Sequence, residues 1–249
     1  MIFTTLLTDD FIGFHKIFIE SMLYFNEWFE KTEHIILYKK GKLTKQDFIK
    51  KYLKNVKFVE VPEDFLQYRD VSKNLYPHFA MTYDKLYFLF LDEIKGKNVV
   101  LYDADMICLK SFYPEFSSNK VLGGDDPTSK INTGYVTFGM NITKNIDSAK
   151  SMIEIFSEDF LQLPDQEIIN TVFPCENFRR NKILNSVLNY VVLEDLKKYD
   201  ILHYITTKKN IAEFCKKNKE FLPKFIVKLV ENNINLSSKF YEKNGQSND

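Results

Sequence analysis

Apolar residues fall along the chain in short clusters that alternate between two spacings. Ile2-Phe3-Thr-Thr-Leu-Leu7 is a near-unbroken run that stops at Thr8-Asp9-Asp10, the signature of a buried strand. Phe14, Ile17, Phe18, Met22, Phe25 and Phe29 then recur at helical spacing. His34 to Tyr38 predicts a second strand. Thr44 is expected to cap a helix through Leu53, with Asp47 in the capping-box region, and Val56 to Val61 predicts a third strand. The order β-α-β-α-β indicates a parallel sheet with helices on both faces. Residues 62–77 carry Pro62 and Pro77 and predict irregular structure, and Phe79 to Ile94 predicts a helix dense in aromatics.

The next stretch organises the chain. Val99-Val100-Leu101 is a short apolar run, Asp103-Ala104-Asp105 follows, and Met106 to Leu109 is apolar again. Ligands of open α/β sheets bind beyond the carboxyl ends of such buried strands. Residues i and i+2 of an extended chain point the same way, so both carboxylates can face one site. Two like charges this close repel unless a cation lies between them, and a hard divalent ion with oxygen ligands, Mg²⁺ or Mn²⁺, is the natural partner. A solvated surface turn is the alternative, and the apolar runs on both sides count against it.

The second half reads less regularly. Lys120 to Gly124 predicts a strand ending at Asp125-Asp126-Pro127, and Asn132 to Met140 a strand opened by Asn132-Thr133-Gly134. Asp147 to Phe160 predicts a helix. Pro164-Asp165-Gln166 opens another through Phe173, with Pro164 in or before its first turn. Val191-Val192-Leu193 predicts a strand, residues 200–205 form an apolar stretch around His203, and Ile211 to Val230 predicts helix interrupted near Pro223. Residues 243–249 predict a frayed tail. No internal repeat or linker appears, so a single domain over 1–242 is expected.

Composition narrows the function. Lys+Arg and Asp+Glu both number 34, which gives no electrostatic footprint for nucleic acid. Three cysteines, Cys108, Cys175 and Cys215, make neither a disulfide framework nor a zinc cluster. With no apolar run of about 20 residues and no signal-like leader, a cytoplasmic protein without a membrane span is expected. A P-loop, a Gly-x-Gly-x-x-Gly after the first strand and a Gly-x-Ser-x-Gly elbow are all missing, which argues against P-loop nucleotidases, dinucleotide enzymes and α/β-hydrolases. Acids, one histidine, lysines and amides are left to carry the chemistry.

Their order resembles that of the retaining glycosyltransferases of family 8, the group of glycogenin and bacterial lipopolysaccharide galactosyltransferases. Phe3 to Asp10 resembles the family's first strand and nucleotide loop, Thr82-Tyr-Asp-Lys85-Leu86 its lysine-bearing helix, and Leu101 to Leu109 its metal-binding Asp-x-Asp. Ile131-Asn-Thr-Gly-Tyr135 resembles its Phe-Asn-Ser/Thr-Gly strand start, Leu163 to Asn170 its Asp-Gln-x-x-Leu-Asn helix, and Asp200-Ile-Leu-His203-Tyr204 its late His-Phe segment. Each motif is short, but six in order over residues 2–209 are specific. Two departures stand out. Thr206 holds a position where the family often has glycine, and Asn210-Ile211 replaces the Pro-Trp that often follows the lysine, here Lys209. The segment between Gln166 and His203 is also shorter than glycogenin's, so its self-glucosylated tyrosine loop has no counterpart.

The resemblance implies a single GT-A domain, α/β with a mostly parallel sheet, with a nucleotide-binding half at about 1–110 and an acceptor half at about 111–242. It implies a metal-dependent retaining transfer of a hexose from UDP-glucose or UDP-galactose to a saccharide, lipid or protein acceptor. Asp103, Asp105 and His203 would hold the ion, and carboxylates with one imidazole suit Mn²⁺ somewhat better than Mg²⁺. Leu6, Thr8, Asp9, Lys85, Ala104 and Lys209 would contact the donor, with Asp125 and Asn132 on its sugar. Asp165 and Gln166 would stand at the reacting carbon. Simpler roles stay open: a core histidine for His203, solvated lysines for Lys85 and Lys209, loop capping for Thr8 and Asp9, a turn cap for Asn132 and a helix cap for Asp165. Two other functions use the same residues, a silent nucleotide-sugar-binding protein and a metal-dependent phosphohydrolase.

Overall fold

A computed structural model describes residues 1–65, 82–126, 129–156, 164–186, 193–204 and 211–237. Several sequence expectations fall outside them: the start of the helix at Phe79, the end of the helix at Phe160, Val191-Val192, Thr206, Lys209, Asn210 and the tail 243–249.

Seven strands form the large sheet in the order β3-β2-β1-β4-β7-β6-β8. They are β1 (Ile2–Leu6), β2 (Glu33–Tyr38), β3 (Val56–Glu60), β4 (Val99–Tyr102), β6 (Val121–Gly124), β7 (Asn132–Phe138) and β8 (Cys175–Asn177). Only β7 runs against the rest, pairing antiparallel with β4 and β6. Strand alternation accounts for the burial of both faces. Ile2, Ile35, Leu37, Val99, Leu101, Val136 and Phe138 enter one core cluster, while their neighbours Phe3, Ile36, Val100, Tyr102 and Tyr135 enter another on the opposite face. Each such fully buried side chain contributes about 1.5–3 kcal/mol by area.

Helix α1 (Ile12–Phe25) connects β1 to β2, and α2 (Gln46–Tyr52) connects β2 to β3. Apolar residues ring α1 because it lies between two layers. Ile12, Phe18, Ile19 and Met22 pack on the sheet, and Phe14 and Ile17 pack on the C-terminal helices α7 (Ile211–Lys217) and α8 (Lys224–Asn233), whose shared cluster includes Ile211, Phe214, Ile226 and Val230. Among the described residues no helix is long and apolar enough to cross a membrane.

After β3 the chain crosses to the other side of β1 and forms β4, so the winding of the sheet reverses between β1 and β4. In open α/β sheets ligands bind at such a reversal, beyond the carboxyl ends of the two strands. Beyond β4 the chain bends through Asp103-Ala104-Asp105 and leaves the large sheet. It re-enters as β5 (Met106–Cys108) of a second sheet, ordered β5-β10-β9, with β9 (Ile183–Ser186) and β10 (Ile201–Tyr204). The Asp-x-Asp is thus the corner between two sheets rather than the middle of one strand.

Some expectations need correction. Thr44 does not cap α2; Lys45 holds that position without a side-chain bond, and the Thr44 hydroxyl donates to Asp9. The aromatic helix before β4 is one α turn, α3 (Thr82–Lys85), followed by tighter turns at Leu86–Phe90 and Asp92–Ile94. Leu193 begins a 3₁₀ turn through Lys198 rather than closing a strand, because Glu194 and Asp195 follow it at once. Strand β7 ends at Phe138, and Met140 already opens the short helix α4 (Met140–Lys144). Strands β8 and β9 lie where the sequence carried no readable pattern. Helices α5 (Ile146–Phe156) and α6 (Pro164–Val172) follow the expected positions, with Pro164 at the first residue of α6.

Candidate active site

Asp103, Asp105 and His203 converge at the corner between the sheets. One ligand atom of each lies within 4.8 Å of the others. His203 Nε2 is 3.5 Å from Asp103 Oδ2 and 3.7 Å from Asp105 Oδ1. The register that achieves this pairs His203 on β10 with Met106 on β5, and the Tyr204 N–H donates to the Asp105 carbonyl at 3.2 Å. Gly134 is the reason the ring fits. A Cβ there would lie 2.2 Å from His203 Cε1 and 2.3 Å from Nδ1. The glycine of the Asn132-Thr133-Gly134 motif therefore serves close approach rather than a turn.

Asp103 divides its two oxygens between partners. Oδ2 faces the imidazole, and Oδ1 accepts from Lys85 Nζ at 2.6 Å. Lys85, buried on α3, also donates to Asp165 Oδ2 at 2.8 Å, and Thr133 Oγ1 donates to the same oxygen at 2.8 Å. Burial disfavours the Lys85 ammonium, but Asp103 and Asp165 outweigh it and hold its pKa above the ordinary lysine value. Burial likewise opposes the Asp165 carboxylate, yet Lys85 and the hydrogen bonds from Lys85, Thr133 and Thr82 keep it below the usual range. Asp103 goes the other way. Burial and the neighbouring Asp105 raise it against the pull of Lys85 and His203, as expected for two carboxylates held close together.

Gln166 is the hub of an amide network beside this pair. Its Oε1 accepts from Asn132 Nδ2 at 3.1 Å and from the Thr133 N–H at 3.4 Å, while its Nε2 donates to Ser129 Oγ at 2.9 Å and to Asp126 Oδ2 at 3.3 Å. Asn132 Oδ1 accepts the Gly134 N–H at 2.8 Å, so Asn132 performs its turn role and joins the network at once. Asn170, one turn on from Gln166, clasps both backbone groups of Ile131, at 3.0 Å to the N–H and 2.9 Å to the carbonyl.

The structure links Lys85, Asp103, Asp105, Asn132, Asp165, Gln166 and His203 into one group, whereas Ala104 enters the core cluster with Tyr102 and Met106. Leu6 is half-buried at the end of β1, and Thr8 follows it in extended backbone. The Asp9 carboxylate accepts from the Thr44 N–H at 3.0 Å, the Lys45 N–H at 3.3 Å and the Thr44 hydroxyl at 2.5 Å, so it also pins the loop before α2. Asp125 is exposed and offers its backbone carbonyl inward, whereas the adjacent Asp126 carboxylate enters the Gln166 network. Asp126, Ser129 and Asn185 are site residues that the sequence did not single out. A run of two acids after β6 was the only signal for Asp126, and it did not distinguish which acid turns inward.

Two carboxylates and an imidazole suit a divalent ion of the Mn²⁺ or Mg²⁺ kind, and the orientation of the three toward one point fits that use. Neither a protein-family model nor a curated protein sequence matches this chain. Solved structures do match it. One is the galactosyltransferase LgtC in complex with donor and acceptor sugar analogues, at 15% identity over 94% of this chain and 96% of that one, with a TM-score of 0.64. Another is the bifunctional glycosyltransferase WbbM in its apo form, at 13% identity over 88% of this chain and 50% of that one, with a TM-score of 0.57. Mouse xyloside xylosyltransferase 1 matches at 9% identity over 82% of this chain and 97% of that one, with a TM-score of 0.50. The chain therefore has the GT-A fold that these glycosyltransferases share.

Proposed function

We propose that this chain is a metal-dependent retaining glycosyltransferase that moves a hexose from UDP-glucose or UDP-galactose to a saccharide, lipid or protein acceptor. The observation that carries the reading is the joining of the Asp103, Asp105 and His203 cluster, through Lys85, to Asp165 and the Gln166 network in the crevice beside β1 and β4. A site for diphosphate and one for a polyhydroxyl group adjoin there. Residues 1–110 would form the nucleotide half and residues 111–242 the acceptor half.

Asp103, Asp105 and His203 would hold Mn²⁺ or Mg²⁺, which supplies Lewis-acid stabilisation to the departing diphosphate. The protein's own residues do the rest. Thr8, Asp9 and Leu6 bound the crevice at the end of β1, where base and ribose would lie. Lys85 adds fixed positive charge beside the leaving group, and Lys209 would add a second. Asn132, Asp126 and Asp165 present acceptors and donors suited to sugar hydroxyls. Gln166 has both amide ends engaged, which favours a positioning role over attack on the anomeric carbon. Asp165 is already bound to Lys85 and Thr133, which likewise disfavours a nucleophile. Retention is then best served by front-face transfer, with the departing phosphate taking the acceptor proton.

The experiment is a panel of UDP-glucose, UDP-galactose, UDP-N-acetylglucosamine and GDP-mannose with Mn²⁺ or with EDTA, followed by thermal shift and by slow nucleotide release. Metal-dependent stabilisation and hydrolysis for one UDP-hexose, lost in Asp103→Ala, supports the reading. Stabilisation without turnover on any acceptor favours a silent nucleotide-sugar-binding protein. Phosphate release from small esters, with no preference for uridine, favours a phosphohydrolase.

A further inference from the structure

We infer that Asn185 is a positioning residue that decides which nitrogen of His203 faces the two aspartates and so readies the ring as a metal ligand. The inference rests on the metal-dependent reading above. Asn185 lies on β9, directly opposite His203 in the parallel pairing of β9 with β10. The polarity of the amide is fixed at its far end. Asn185 Nδ2 lies 3.1 Å from the Asp125 carbonyl oxygen, and a carbonyl can only accept. The amide oxygen must therefore be the atom that faces the ring, 2.9 Å from His203 Nδ1. An amide oxygen also only accepts, so Nδ1 carries the hydrogen. A neutral imidazole has one N–H, which leaves the Nε2 lone pair directed toward Asp103 Oδ2 and Asp105 Oδ1.

Two glycines make room for this arrangement. A Cβ at Gly124 would lie 2.7 Å from Asn185 Nδ2, and one at Gly134 would lie 2.2 Å from the His203 ring. The amide and the ring are thus both laid against bare backbone of the large sheet, β6 and β7. Turning the ring over would set a carbon against the amide oxygen and lose the bond. Partners that orient metal-binding histidines in this way, when removed, typically weaken metal affinity by about 10- to 100-fold.

The test uses Mn²⁺ alone, titrated calorimetrically into the full chain without nucleotide, together with ¹⁵N NMR of the imidazoles of the metal-free protein where the rings are neutral. Asn185→Leu removes the acceptor at near-constant volume, and Asn185→Asp keeps an acceptor facing Nδ1. Mn²⁺ binding weakened about 10- to 100-fold in Asn185→Leu, held within a few-fold in Asn185→Asp, and an Nδ1–H ring at His203 in the wild type support the assignment. A wild-type ring protonated only at Nε2 overturns it, even if Asn185→Leu does not fold. Equal Mn²⁺ affinity in Asn185→Leu and wild type overturns the role of Asn185 and leaves the metal reading standing. A wild type with an Nδ1–H ring that binds no Mn²⁺ overturns the metal reading, and the readying role with it.

Discussion

Lys85 Nζ stands 2.8 Å from Asp165 Oδ2, which ties the turn before β4 to the first turn of α6 across 80 residues of sequence. The same ammonium holds Asp103 Oδ1 at 2.6 Å, so one buried cation neutralises Asp103 and Asp165 together. Removing it leaves two buried carboxylates without their shared partner. Lys85→Met is expected to destabilise the metal-free protein by about 3–5 kcal/mol. Mn²⁺ should restore part of that, because the ion replaces the missing charge beside Asp103. Urea denaturation with and without Mn²⁺ checks this, and the gain from Mn²⁺ should be larger in the variant than in the wild type.

Metal removal should register in the unmodified protein. At a Mn²⁺ concentration of about 100 times its Kd, binding adds about 2.7 kcal/mol of stability, or roughly 5–11 °C in Tm for a chain of this size. EDTA is expected to abolish the shift, and Asp105→Ala to abolish it without EDTA. A Tm indifferent to both would remove the metal from the scheme.

Gly134→Ala tests the close approach of β7 to His203. The added methyl would meet the ring at 2.2 Å, and neither the ring nor the strand can retreat without breaking the site. A loss of about 1–3 kcal/mol from overpacking is expected, with Mn²⁺ affinity down at least about tenfold if the ring is displaced as far as the loss of an orienting partner would displace it. Calorimetry of Mn²⁺ binding separates this local effect from general destabilisation.

Acid should unfold the protein through two buried histidines, His15 and His34. His15, held by Tyr52 and Tyr102 at 2.9 and 3.0 Å, and His34, held by Thr32 at 2.7 Å, are each lowered by burial from 6.5 to about 3, with His34 adding to the effect on His15. Below pH 6.5 the unfolded chain takes up protons that these buried rings refuse, so stability falls as pH falls from about 6.5 toward 3. Each ring contributes a slope of about 1.4 kcal/mol per pH unit. Chemical denaturation between pH 7 and 4 should show the combined slope, and His15→Gln should remove about half of it.

The sequence disclosed most where one residue type meets one demand. β1, β2 and β4 were legible because strands buried on both faces carry unbroken apolar runs and stop at polar breaks. Asp103 and Asp105 were legible because such runs flank them. His203 was legible only through the order of motifs, since one histidine in an apolar stretch has the same appearance in any core. Asn185 carried no signal, because its work depends on a strand partner 18 residues away that pairing alone brings opposite. Thr44 shows the same limit from the other side. A hydroxyl just before α2 has the look of a cap, but Lys45 holds that position and the partner of Thr44 is Asp9, 35 residues upstream, which local patterning does not contain.

The corner at Asp103-Ala104-Asp105 also bears on how the molecule assembles. Strands β1 to β4 need only the first 102 residues, whereas His203 reaches its aspartates only when β10 is laid between β5 and β9. Such distant pairings close late, after nearer ones have lowered their entropic cost. Until then His203 does not stand beside Asp103 and Asp105. A refolding reaction followed by pulse-labelled hydrogen exchange would show β1, β2 and β4 protected first and β10 last, with Mn²⁺ gaining its site only in that final phase.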